Sequence, residues 1–242
     1  MVKAILMDVG RTIVTNRIID FKKGLEAVYQ LDKRIDKCDL NEYFRVFKAL
    51  WRVTFDSVRV INSEVKIGDF LQVLNEITGI VVPDKYDDKN ELEYYFQCNL
   101  IEEELMDGVE KFLDYCKSNN LPVLCVSNSC MTSNAIKREF KEFNIDNYIV
   151  DVISSADILV RKPRKEIFDY AYGKILRIDD KIKRSEVLFI GDNFECDVVG
   201  SCNAGLCSVW LNHKQEKVAN NSFSFINVKD YDELIDVLKV MK

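Results

Sequence analysis

The chain has 242 residues, 48% of them apolar, with 40 acidic and 34 basic side chains and a formal net charge of -6. That is enough for one large domain or a core with an insert, and the charges form no long single-sign block, which speaks against nucleic acid as a partner. No apolar run reaches the roughly 20 residues of a membrane span and no signal-peptide pattern opens the chain, so a cytoplasmic protein with no membrane partner is expected.

Val2, Ala4, Ile5, Leu6 and Met7 form a near-continuous apolar run, the pattern of a strand buried on both faces of a parallel sheet. Asp8 follows where that strand would emerge, and Gly10 stands where the backbone must turn. A lone Asp after a strand ordinarily caps a turn or helix. Here three later strand-like runs also end in polar groups, which points to a ligand crevice at the strand ends.

From Asp20 to about Glu104 the sequence reads as successive helices with no strand. Tyr43, Phe47, Leu50, Trp51, Phe55 and Val58 recur at helical spacing behind a cap at Asp39 or Asn41, and Ile67, Phe70, Leu71, Leu74 and Ile77 repeat the pattern before a stop at Gly79. Pro83 and the polar run 84–90 predict a loop, and a further helix is expected over about 91–104. The aromatic residues read as the core of this helical insert. Eight cysteines contain no Cys-x-x-Cys, and with His213 as the sole histidine they assemble no zinc site of familiar spacing, so reduced thiols are expected.

From Gly108 strands and helices alternate. Helices are predicted over about 109–118, 132–143, 165–176 and 232–241, and strands over 122–126, 148–154, 187–190, 206–211 and 223–228. This alternation implies right-handed crossovers and an α/β fold, a doubly wound parallel sheet covered on both faces. The expected division is a core from residues 1–15 and 106–242 and an inserted α-helical cap from 16–105.

Taken together, the strand ends carry chemistry. Asp8, Ser127, Lys162 and Asp192 would converge on one crevice, where two carboxylates and a backbone carbonyl suit an octahedral Mg2+. A Lys ammonium and a Ser hydroxyl suit the remaining oxygens of a phosphoryl group, and Asp8 as nucleophile would pass that group through an aspartyl-phosphate.

In these motifs the sequence resembles the haloacid dehalogenase-like (HAD) hydrolases. A buried strand with Asp8, Gly10 and Thr12 is similar to the family's Asp-x-Asp-x-Thr except at one position. The apolar run ending in Ser127, the pair Lys162-Pro163, and Gly191-Asp192 with Asp197 are similar to its other three motifs. The resemblance implies a Rossmann-like core with a helical cap, and a Mg2+-dependent phosphatase of a small phosphorylated metabolite. It implies Asp8 as nucleophile and Lys162 as a second catalytic group. Asp8, the Gly10 carbonyl and Asp192 would bind the metal, and Ser127, Asn128 and Lys162 the phosphate. Asp197 and Asn193 would support them, Asp197 by orienting Lys162 or a water.

Gly10 departs from the family's phosphatases, which usually carry an Asp there as general acid and base; one branch of sugar-phosphate phosphatases has Gly. Arg11 also replaces a common Gly. Three alternatives therefore stay open. A 2-haloacid dehalogenase would need no metal and so no pair Asp192 and Asp197. A carbon-phosphorus hydrolase would need a cap lysine such as Lys22, Lys23 or Lys48. A catalytically weakened descendant would only bind a phosphometabolite or a protein partner. Arg17, Lys22, Lys23, Tyr43 and Trp51 are candidate cap residues facing the cleft. The sequence sets neither substrate identity nor oligomeric state.

Overall fold

The computed structural model describes residues 1–218 and 222–240, the side chains of Asn16 and Arg17 excepted. Among the described residues the strands are β1 (Ala4–Met7), β2 (Val14–Ile19), β3 (Ile101–Leu105), β4 (Val123–Ser127), β5 (Ile149–Ser154), β6 (Val187–Gly191), β7 (Cys207–Leu211) and β8 (Ile226–Val228). Six form one sheet in the order β5-β4-β1-β6-β7-β8, and every neighbouring pair is parallel.

The alternation of side chains along β1 explains its uniform apolarity. Ile5 and Met7 join the larger core, with Val123, Cys125, Leu188 and Ile190 from the adjacent strands and the helices 109–118, 133–142 and 231–240. Ala4 and Leu6 face the other way, into a second core with Leu124, Val126, Phe189 and the helix 165–176. A strand buried on both sides has no polar face to offer, so its first ionisable group marks where it leaves the sheet.

β1 lies between β4 and β6. The chain runs outward from β1 through β4 to β5, then crosses to β6 on the other side. Strand ends diverge at such a switch point and leave a crevice at their carboxyl ends.

Between β2 and β3 the chain is helical, over 21–29, 40–51, 57–59, 67–78 and 89–100. Asp39 is the cap of the second, its side chain accepting from the Asn41 and Glu42 amides at 2.8 and 3.0 Å. Gly79 ends the fourth with φ +66°, a conformation open to glycine. Trp51 stacks on Phe55 at 4.0 Å between centroids and meets Phe21 and Phe70 edge-on, so these aromatics are packing.

One expectation fails in this region. The helix foreseen over 91–104 stops at Leu100, and Ile101–Leu105 is a strand; its partner β2 lies just before Asp20, in a stretch for which no element was predicted. The run Ile-Glu-Glu-Glu-Leu has helical propensity, but pairing with β2 from Val14↔Leu105 to Ile19↔Ile101 supplies hydrogen bonds that its local sequence does not announce. From Gly108 onward the helices 109–118 and 165–176 stand as predicted, and the other element ends move by at most three residues. The last helix is Tyr231–Val240, and Met241 lies outside the described residues. Among the described residues no helix is long and apolar enough to cross a membrane.

Candidate active site

The carboxyl ends of β1, β4 and β6 and the loop after β5 border one cleft of about 440 Å3, whose lining includes Asp8, Gly10, Ser127, Asn128, Lys162, Asp192, Asn193 and Asp197. The eight residues assigned roles from the motifs therefore line one cleft.

Lys162 lies at the centre. Its side chain is 2% exposed, and its ammonium donates to Asp8 Oδ1 at 2.5 Å and to Asp197 Oδ1 at 2.7 Å. Burial opposes its charge, but the Asp197 and Asp8 carboxylates outweigh burial and hold the ammonium above the usual lysine range. Asn128 fixes the backbone behind it: its Oδ1 accepts from the Lys162 amide at 2.7 Å, and its Nδ2 donates to the Lys162 carbonyl at 2.9 Å. That positioning of the lysine is a different task from the phosphate contact expected of Asn128.

Asp197 reaches Lys162 through an unusual turn. After β6, Asn193 caps a π-helical segment, Phe194–Val199, by accepting from the Cys196 amide at 2.8 Å. The wide turn folds Asp197 back over the end of the strand, where its Oδ2 accepts from the Asn193 amide at 2.9 Å. Gly191 makes this approach possible, since a Cβ there would lie 2.4 Å from Asp197 Cγ. Burial and the charge of Asp8 push the Asp197 carboxyl upward against the pull of Lys162.

Asp8 is 8% exposed, and its Oδ2 accepts from the Thr12 hydroxyl at 3.3 Å. The loop beyond it is tied down by Tyr231, which donates to the Thr12 carbonyl at 2.5 Å. Asp192 is held through its carbonyl, which accepts from the Trp210 indole at 2.9 Å, while the residue borders the cleft. Burial and the charge of Asp8 raise the Asp192 carboxyl. Arg11, in a left-handed conformation at φ 57°, brings its Nε to 3.2 Å from Asp192 Oδ2; this cation is part of the site and not a detached surface group.

The carboxylates of Asp8, Asp192 and Asp197 have oxygens within 4.8 Å of one another. Both oxygens of Asp197 are held, by Lys162 and the Asn193 amide; Asp8 is held by Lys162 and, at a long 3.3 Å, by the Thr12 hydroxyl, and Asp192 meets the Arg11 guanidinium through Oδ2, with Gly10 in the same lining. An all-oxygen set with like charges pressed together fits a hard divalent cation such as Mg2+.

The helical segment contributes different residues from those the sequence singled out. Tyr43 is fully buried and donates to Asn75 at 2.9 Å; Trp51 packs among aromatics; Lys22 and Lys23 pair with Glu26 and Glu102. The side chain of Arg17 lies outside the described set. The cleft is instead lined by Gln97, Ile101 and Glu103, together with Met131, Ile136 and Glu139 after β4. Arg161 also borders it, with its guanidinium paired to the buried Glu64 and its amide donating to the Asn62 carbonyl at 2.9 Å. No local pattern distinguished these residues, because each enters through the contact of distant segments.

Residues 2–205 match the sequence profile of the haloacid dehalogenase-like hydrolases, and the chain belongs to that family. It is 42% identical over 72 residues to the pyrimidine 5'-nucleotidase YjjG of Escherichia coli (strain K12), an alignment covering 29% of this chain and 30% of that relative's length. It is 23% identical over 203 residues to YfnB of Bacillus subtilis (strain 168), a protein named for the HAD-hydrolases, covering 82% and 79% of the two chains. Among solved structures, a 2-haloacid dehalogenase from Pseudomonas syringae pv. tomato DC3000 superposes over 100% of both chains with a TM-score of 0.69 at 15% identity. The magnesium-bound YfnB structure does so over 98% of both with a TM-score of 0.56 at 21% identity. These structural likenesses establish the fold.

Proposed function

We propose that the chain is a Mg2+-dependent phosphoric monoester hydrolase for a small phosphorylated metabolite, with Asp8 as the nucleophile. The observation that carries this reading is the convergence of the Asp8, Asp192 and Asp197 carboxylates on one another, with the buried Lys162 ammonium bonded to Asp8 and Asp197. Displacement of halide from carbon by Asp8 has no use for the second and third carboxylates. A phosphoryl group with a divalent cation does, because the three acids are met by only Lys162 and the half-exposed Arg11, which leaves the cleft short of positive charge once a phosphate enters. The alignment with a pyrimidine 5'-nucleotidase supports the same class of substrate.

In this reading residues 1–15 and 106–242 form the core and 16–105 the cap. Asp8, the Gly10 carbonyl and Asp192 would hold the metal, which when bound supplies neutralisation of charge on the phosphoryl oxygens. Ser127 and Lys162 bind those oxygens, and Asn128 and Asp197 keep the ammonium in place. An Asp8 carboxylate oxygen attacks phosphorus, forming the aspartyl-phosphate as the bond to the ester oxygen breaks. Water then attacks phosphorus, releasing inorganic phosphate and restoring the carboxylate. Gly10 has no proton to give the departing oxygen, so esters with stable leaving groups react best. The eight free thiols fit a reducing, cytoplasmic setting.

The test is turnover of phosphate esters and of 2-haloacids, with Mg2+ and with chelator, by the wild type and by Asp8→Asn. The amide matches the carboxylate in shape but is not a nucleophile, so hydrolysis should vanish while the fold persists. Phosphatase activity that survives Asp8→Asn would overturn the assignment of the nucleophile, and chelator-indifferent release of halide would favour the dehalogenase.

A further inference from the structure

A second group of polar side chains lines the cleft away from the motif residues. Gln97 on the helix 89–100 is 6% exposed. Its Nε2 donates to Glu139 Oε2 at 3.2 Å, and this bond orients the amide so that Oε1 is buried without a partner. Glu139, on the helix 133–142, is also hydrogen-bonded to Glu103 of β3. Burial together with the neighbouring Glu103 and Glu142 pushes the Glu139 carboxyl well above the carboxylate range. The nearby cation Arg138 is already engaged by Glu91. Ile101, Met131 and Ile136 border the same space with apolar surface.

A buried acceptor without a donor is costly, and a substrate group able to donate to it recovers that cost on binding. A second anionic group beside Glu103 and Glu139 would instead meet like charge away from water. We propose that Gln97, Glu103 and Glu139 form the subsite for the leaving group of the phosphate ester, and that this group carries hydrogen-bond donors, hydroxyl or ammonium, and no second negative charge. This rests on the phosphatase reading above and adds the substrate class to it. The apolar residues cover the carbon skeleton, and the cleft of about 440 Å3 is within the size of small-molecule sites. The subsite spans the β2–β3 ribbon, the helical segment and the core, so it is assembled only when these are packed together.

The experiment compares kcat/KM on ribose 5-phosphate, which offers hydroxyls, phosphoethanolamine, which offers an ammonium, phosphoglycolate, which carries a carboxylate, and 4-nitrophenyl phosphate, which offers no donor. The first two distinguish the two donor types. The wild type should prefer one or both of them to phosphoglycolate by about tenfold or more. Gln97→Leu and Glu139→Gln should lower the ratio of that donor-bearing ester to 4-nitrophenyl phosphate by roughly tenfold, mainly through KM. Glu139→Lys, which can pair with Glu103, should raise the preference for phosphoglycolate, a gain that loss of packing does not produce. If 4-nitrophenyl phosphate is hydrolysed but the wild type prefers phosphoglycolate, or the ratios do not move in the variants, the subsite is wrong and the phosphatase reading stands. If the wild type hydrolyses none of the four esters with Mg2+, the phosphatase reading falls and the subsite falls with it.

Discussion

Replacing Lys162 by Met tests whether the site is held by charge. The methionine keeps an unbranched apolar stem beside Phe189, whose ring lies 5.4 Å from the ammonium, so little packing is lost. What disappears is the cation between Asp8 and Asp197, whose side chains are 12% and 1% exposed. Removing one partner of a buried ion pair costs about 3–5 kcal/mol, because the other is left charged and unpaired. For a chain of this size each kcal/mol moves the melting temperature by about 2–4 °C, so the expected fall is roughly 6–20 °C. The sign of the pH dependence follows from Asp197. Burial and the charge of Asp8 raise its folded-state pKa above the unfolded value. Stability from such an acid is fully present below the unfolded pKa and is lost as pH rises through the folded one. Without the lysine the folded pKa rises further, and the deficit of the variant should narrow from neutral pH toward pH ~4. A second substitution, Asp197→Asn, removes one of the stranded charges and should restore at least about 0.5 kcal/mol relative to additivity. The assay is thermal melting by circular dichroism in chelator, at neutral and at acidic pH, for both single variants and the double. A fall of under about 2 °C for Lys162→Met, or a deficit that widens on acidification, would refute the reasoning.

Asp192→Asn removes one of the two carboxylates assigned to the metal, and the Mg2+ concentration for half-maximal turnover should rise on the order of tenfold or more, read from a metal titration of the rate. The added Cβ of Gly10→Asp meets no atom within 4 Å, so the first carbon of the side chain has room. The substitution should raise the rate on a simple alkyl phosphate more than on 4-nitrophenyl phosphate, by up to about 10²-fold, the lower end of what positioned general acids contribute; a shared gain on both esters would identify hydrolysis of the aspartyl-phosphate as the slow step. Gly191→Ala places a methyl group 2.4 Å from Asp197 Cγ. It should cost about 1–3 kcal/mol in a denaturant titration and lower turnover as Asp197 is displaced from Lys162.

Much of the core was legible because its determinants are local. An unbroken apolar run such as Ala4–Met7 specifies a strand buried on both faces, and its first charge, Asp8, marks the strand end whatever the rest of the chain does. The helices after Asp39 and Thr132 likewise announce themselves by spacing and by caps within a few residues. Four such strand ends in order were enough to bring Asp8, Ser127, Lys162 and Asp192 together on paper, and the parallel sheet brings them to one cleft. What the sequence alone could not decide depends on contacts between segments far apart in the chain. Glu102 to Glu104 are strand because β2 lies beside them; by propensity they would continue a helix. Asn128 turns to the Lys162 backbone 34 residues away, and Gln97 meets Glu139 across 42. Local periodicity carries no trace of such pairings, since each is set by the free energy of packing whole elements together and not by the residues on either side.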